Sequence, residues 1–109
     1  GSDWSVSTAN PYHQMETAIT RKDAVVDDME SFIPEESIDL ETAIVAFTIN
    51  AAFVNRKEND TGSIEVGKYA DLVVLDRNLF ETEAKDISET RSLLTLFEGR
   101  PVHGDIAAL

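Results

Sequence analysis

The chain has 109 residues, the size of one domain or a piece of one. Hydrophobic residues make up 42%, enough for a real core, but 21 acids against 9 bases leave a net charge of -12. Such a surface repels nucleic acid and anionic lipid, so neither is an expected partner. With no cysteine, disulfide scaffolds, cysteine-based zinc sites and thiol nucleophiles are excluded.

Gly1-Ser2-Asp3-Trp4 opens the chain without the pattern of a signal peptide. The missing initiator methionine is expected to reflect processing or excision from a longer protein. No apolar run approaches the ~18 residues of a membrane span, and the cytoplasm is the expected location. Asn10-Pro11 sets an N-cap before a proline at the first helical position. Tyr12, Met15, Ala18 and Ile19 then share one helical face. Arg21 and Lys22 stand where a C-terminal turn favours cations. The acidic run Asp23 to Glu30 reads as a solvated loop or short helix, and Pro34-Glu35-Glu36-Ser37 as a turn.

The strongest helix is predicted from Asp39, its N-cap, to about Asn55. Leu40, Ala43, Ile44, Phe47, Ala51 and Val54 form one apolar stripe; Val45, Ile49, Ala52 and Phe53 form a second. A helix apolar on two faces must be covered on both. From Thr61 the pattern becomes strand-like. Leu72-Val73-Val74-Leu75, bracketed by Asp71 and Asp76, has the pattern of a strand buried on both faces. Thr82 to Ile87 allows one helical turn. Arg91 to Phe97 is a second strand, Glu98-Gly99 a two-residue turn, and Arg100 to His103 a third strand. Pro101 cannot donate a ladder hydrogen bond and places that strand at an edge. The fold class is therefore α+β: two or three helices with a small, mainly antiparallel sheet.

Gly62-Ser-Ile-Glu-Val-Gly67-Lys68 has the spacing of a phosphate-binding loop. However, Tyr69 stands where a magnesium-binding Ser or Thr belongs, and the run opens a strand rather than a helix. It reads as a glycine-rich turn. His13 and His103 have no H-x-H, H-E-x-x-H or cysteine companions, and a zinc site needs about four ligands. They read as surface residues. Asp27-Asp28 and Glu35-Glu36 are adjacent in sequence, a spacing that does not bring two side chains face to face on a helix. Asp3 has a different setting: two small residues before it and a large aromatic after it. Small neighbours let backbone approach a ligand, and an acid just past a strand end can reach a metal or a water. A cloning remnant followed by a frayed end is the bland alternative.

As a whole the chain resembles the C-terminal end of metal-dependent amidohydrolases, in the branch known as amidohydrolase family three. The matching blocks are Gly1 to Val6 with Asn10-Pro11, Ala18 to Arg21, Leu40 to Ala43, Thr48 to Ala52, Thr61 to Asp76 and Thr95 to Val102. The most specific is Gly67-Lys68-Tyr69-Ala70-Asp71; Ser5 departs from the pattern, where the family often has proline. The resemblance implies the end of a (β/α)₈ barrel plus part of its β-sandwich domain. Residues 1–56 would be the strand-8 loop and last barrel helices, and residues 57–109 the C-terminal part of the sandwich. It implies an active site at the C-terminal face of the barrel. It also implies that Asp3 binds a divalent metal, zinc foremost, and carries a proton from metal-bound water to a leaving amine. The other ligands would come from earlier strands, so no metal and no catalysis are expected of this chain alone. The expected partner is the rest of the parent barrel, with self-association through exposed apolar faces when it is absent. The competing reading is a stand-alone acidic binding or assembly module. A third, nucleotide binding through Gly62–Lys68, requires ATP to raise the melting temperature.

Overall fold

A computed structural model describes residues 3–26 and 28–109. The chain divides into two compact units, Gly1–Ile44 with Asn78–Thr90 and Val45–Arg77 with Arg91–Leu109.

The first unit is built on helix α1, Pro11–Thr20. The expected cap forms: Tyr12 N donates to Asn10 Oδ1 at 2.9 Å, with Pro11 at the first helical position. The helix ends at Arg21 in the left-handed region, φ +56°. Arg21 is thus outside the last turn, where the sequence put its charge. Its Nε donates instead to Phe32 O at 3.1 Å, and Phe32 N donates to Arg21 O at 2.8 Å. These two bonds close the neck of an acidic loop that contains no helix among its described residues. Pro34–Glu36 is one 3₁₀ turn, and two further 3₁₀ segments span Leu79–Glu81 and Ala84–Glu89. Met15, Leu79 and Ile87 are buried in this unit. Glu16 is buried as well; its Oε2 accepts from Ser88 N at 2.7 Å. A buried carboxylate needs such a donor, because an unpaired one would cost far more than the bond gains.

The predicted single helix 39–55 is two helices, α2 at Leu40–Phe47 and α3 at Ile49–Val54. Asp39 caps α2 as expected, its Oδ1 accepting from Thr42 N at 2.7 Å. The break falls at Thr48, whose φ of -119° and ψ of -97° leave the helical region. Thr48 N bonds to Val45 O, three residues back instead of four. A β-branched residue with a side-chain hydroxyl has only a weak hold on the helical state, so neighbouring geometry decides. Immediately beyond the break, Ile49 and Ala52 lie against Gly62, where an added Cβ would stand 2.6 Å from Ala52 Cβ. The close approach and φ of +91° both require glycine there. The second apolar stripe is covered only in part: Ala52 is buried and Ile49 half-buried, but Val45 and Phe53 are exposed, as is Val54 at the end of the first stripe.

The second unit holds a three-stranded antiparallel sheet in the order β1-β2-β3, with β1 at Leu72–Leu75, β2 at Ser92–Phe97 and β3 at Arg100–His103. Leu72 pairs with Leu96 and Val73 with Thr95; a bulge follows between Val74 and Leu75. In the β2–β3 hairpin Phe97 pairs with Arg100 across Glu98 and Gly99, at φ +50° and +77°. Two successive positive φ values define the primed turn that matches strand twist. Pro101 lies on an edge strand, as its missing N–H requires. β1 corrects the sequence reading. It is the opposite edge of the sheet, and Val73 (51% exposed) and Val74 (38%) leave both its faces open. Successive strand residues point to opposite faces, and among the described residues β1 has a strand neighbour, β2, on one side only.

Candidate functional site

Asp3 sits in a tight turn. Its carbonyl oxygen accepts from Val6 N at 2.7 Å, its φ is +51°, and its side chain is exposed. The Trp4–Ser5 peptide is cis. Downstream the segment is tied to α1, with Asn10 N donating to Thr8 Oγ1 at 3.1 Å and Gln14 Nε2 to Thr8 O at 3.3 Å. The acid is therefore carried on a short stem fixed to a capped helix. The small residues Gly1 and Ser2 that set Asp3 apart in the sequence lie outside the described residues, as does Asp27.

The other sequence candidates are scattered. Asp28 is in the acidic loop at φ +63°, and Glu35 and Glu36 are exposed on their 3₁₀ turn. His13 is half-buried in the first turn of α1. His103 Nε2 donates to Ser92 O at 3.1 Å and so ties β3 to β2. Among the described residues no three His, Cys, Asp or Glu side chains gather to hold a metal ion. One exposed carboxylate does not make a metal centre, so these residues by themselves do not fit the metal that the resemblance implies.

The glycine-rich run has its own arrangement, invisible in the spacing. Lys68 Nζ lies 2.8 Å from Glu65 Oε2 and donates to Ser63 Oγ at 2.6 Å, while Ser63 Oγ donates to Glu65. Lys68, 13% exposed, spends its charge inside the turn instead of on a phosphate. The run then leads into β1, not into a helix. The geometry is that of a clamped turn. Asp71 extends the clamp, its two oxygens accepting from Thr61 Oγ1 at 2.9 Å and from Glu98 N at 2.8 Å. Beside it runs an open apolar groove of about 510 Å³ lined by Phe47, Ala51, Ile64, Leu72 and Val73. Phe47 and the β1 run are the residues that the sequence marked as an apolar face.

Charge is divided unequally. Fourteen acids and three bases fall in the first unit, seven acids and six bases in the second, giving net charges of -11 and -1. Among the described residues three carboxylates are held below their ordinary range. For Asp39 the cause is the Thr42 backbone N–H, then the Thr42 hydroxyl. For Glu65 it is the hydrogen bond from Lys68, then that from Ser63. For Asp76 it is the bond from Arg77, then the backbone N–H of Arg91. A carboxylate whose pKa is lowered by folding adds stability above its unfolded value, and that stability is lost as pH falls through the folded value. Asp76→Asn is therefore expected to lower the urea midpoint at pH 7. The gap to the wild type should close as pH falls below Asp76's ordinary 3.8. A gap that persists unchanged at pH 2 would show that the charge plays no part.

The chain belongs to the amidohydrolase family, whose model matches residues 1–103. It is 37% identical over 99 residues to the protein LONG AFTER FAR-RED 3 of Arabidopsis thaliana, covering 91% of this chain and 16% of that protein. It is 33% identical over 98 residues to the N-substituted formamide deformylase of Arthrobacter pascens, covering 90% of this chain and 18% of that enzyme. A 40-residue stretch, 37% of the chain, is 55% identical to 10% of the imidazolonepropionase of Picrophilus torridus. The chain thus spans less than a fifth of the length of the first two relatives. No solved structure gives a significant match. No helix among the described residues is long and apolar enough to cross a membrane.

Proposed function

We propose that this chain is the C-terminal portion of a metal-dependent hydrolase acting on a non-peptide carbon–nitrogen bond, and that it is inactive by itself. The observation that carries the reading is a family match running through residues 1–103 of a chain that spans under a fifth of its relatives. Residues 1–56 form the end of the catalytic barrel, and residues 57–109 the C-terminal part of the β-sandwich. The uncovered faces of α3 and β1 support this, since apolar side chains shaped for burial stand open at Phe53, Val54 and Val73. Asp3 is the active-site acid of this portion: it contributes one carboxylate to the parent's metal centre and hands a proton to the departing nitrogen. A carboxylate suits both tasks, because it is ionised at neutral pH and accepts or returns a proton at low cost. The remaining ligands belong to the parent. So do the metal's identity and the pocket that selects the substrate.

Two measurements test the reading. The coding sequence before Gly1 should hold an H-x-H and further histidines over roughly 300–450 residues, the span of such a barrel. The purified chain, supplied with zinc, should show no turnover of amides that the parent hydrolyses. Turnover by the chain alone, or an upstream stop codon, would overturn it. A saturable protein partner with no hydrolase activity anywhere in the locus would favour an acidic assembly module instead.

A further inference from the structure

Glu16 is a buried carboxylate outside the chemistry assigned to Asp3. It sits on α1 at 6% exposure. Its Oε2 accepts one neutral donor, Ser88 N at 2.7 Å, and among the described residues no cation pairs with it. A carboxylate taken out of water is costly unless it is both hydrogen-bonded and paired with opposite charge. One backbone N–H meets only the first requirement.

Glu16 and Ser88 both line a cavity of about 410 Å³, walled by α1, the 3₁₀ segment Ala84–Glu89 and the acidic loop. Among the described residues five carboxylates and two lysines line it, leaving it three charges negative. One of the lysines is engaged elsewhere, Lys85 Nζ lying 3.5 Å from Glu83 Oε2. Ala24, Val26 and Met29 add an apolar side. The loop is fastened in place. Ser31 Oγ donates to Thr20 O at 2.8 Å beside the Arg21–Phe32 neck, and Asp23 Oδ1 accepts from Val25 N at 2.8 Å and Val26 N at 3.1 Å. Among the described residues no three carboxylates gather to hold a metal ion. A cavity with one buried charge, an acidic lining and an apolar side suits an organic cation instead.

We infer that this cavity is a binding site for a primary ammonium or guanidinium group on a short apolar stem, with Glu16 as the counter-charge and Val26 and Met29 beside the stem. The group comes either from a free ligand or from a basic side chain elsewhere in the parent. Only the second source rests on the chain being part of a larger hydrolase.

The test titrates n-propylguanidinium and n-butylammonium into the 109-residue chain and into the full-length parent by calorimetry, with neutral n-propylurea as the shape-matched control. Both cations should bind and the urea should not. Glu16→Gln keeps the shape and an acceptor for Ser88 N, and should weaken both cations at least about tenfold, the scale of a hydrogen bond to a charged group. Asp86→Asn, at a half-buried acid of the same cavity, should weaken them about threefold and carries the test if the first variant does not fold. Lys22→Ala removes a competing charge and should hold or tighten binding. Binding by the parent identifies the site of a free ligand; binding by the chain alone identifies a side chain of the parent as the occupant. Binding of neither cation to either protein would leave a water-filled pocket and overturn the inference. So would urea binding as tight as that of the cations, binding unchanged in Glu16→Gln or in Asp86→Asn in its place, or equal losses in Glu16→Gln and Lys22→Ala.

Discussion

Replacing Gly104 with alanine is expected to lower the stability of the second unit by roughly 2–4 kcal/mol, a large share of the ~5–15 kcal/mol that holds a typical domain folded. Gly104 follows β3 at φ +77°, and a Cβ there would stand 2.0 Å from Leu93 O and 3.1 Å from Leu94 Cα. Both neighbours are backbone atoms of β2, and Leu94 is a buried core residue at 3% exposure. The obstacle cannot swing aside as the end of a flexible side chain would. Left-handed backbone costs a non-glycine residue about 1–2 kcal/mol, and forced overpacking typically about 1–3 kcal/mol. Gly67 supplies the control, with φ +95° but nothing within 4 Å of an added Cβ. Gly67→Ala should therefore show the conformational cost alone. Urea midpoints of the two variants separate the effects, and equal losses would refute the steric account.

The largest effect on catalysis is expected from Asp3→Asn in the full-length parent, a loss of about 10²–10⁴ in kcat if the residue carries the proton. Asparagine keeps the shape of the side chain and tolerates the left-handed backbone, so the turn at φ +51° should survive. The bond that closes this turn uses the Asp3 carbonyl oxygen rather than the carboxylate. The thermal midpoint should accordingly stay unchanged while turnover falls. A variant that keeps its kcat would remove Asp3 from the chemistry, and one that loses its fold would assign it a structural role.

Local chemistry was legible where one residue type decides the outcome. Asn10-Pro11 and Asp39 announced helix starts because a side-chain oxygen two or three residues ahead of free N–H groups has few better uses. Glu98-Gly99 announced a hairpin, and Pro101 an edge strand. The break at Thr48 was hidden, because a β-branched residue shifts helix stability too little to be read apart from its surroundings. The openness of β1 was hidden for another reason: an apolar run states what a strand is fitted to meet, not whether this chain supplies it. At the candidate site, the neighbours of Asp3 and the resemblance marked that acid as a candidate, but not the turn that its carbonyl oxygen closes with Val6 N. The clamp of Ser63, Glu65 and Lys68 was not legible, because spacing does not tell which way a lysine folds.

The outer edge of β1 matters for how this polypeptide survives in solution. A bare row of backbone donors and acceptors, carried on Leu-Val-Val-Leu with no proline or lysine inside it, is a template for stacking further copies. Asp71 and Asp76 stand at its two ends as gatekeepers, since charge at the border of an aggregation-prone stretch keeps strands from adding. Asp76, whose carboxyl Arg77 and the Arg91 backbone N–H hold below the ordinary range, keeps its charge as pH falls, so the guard at that end outlasts an ordinary carboxylate.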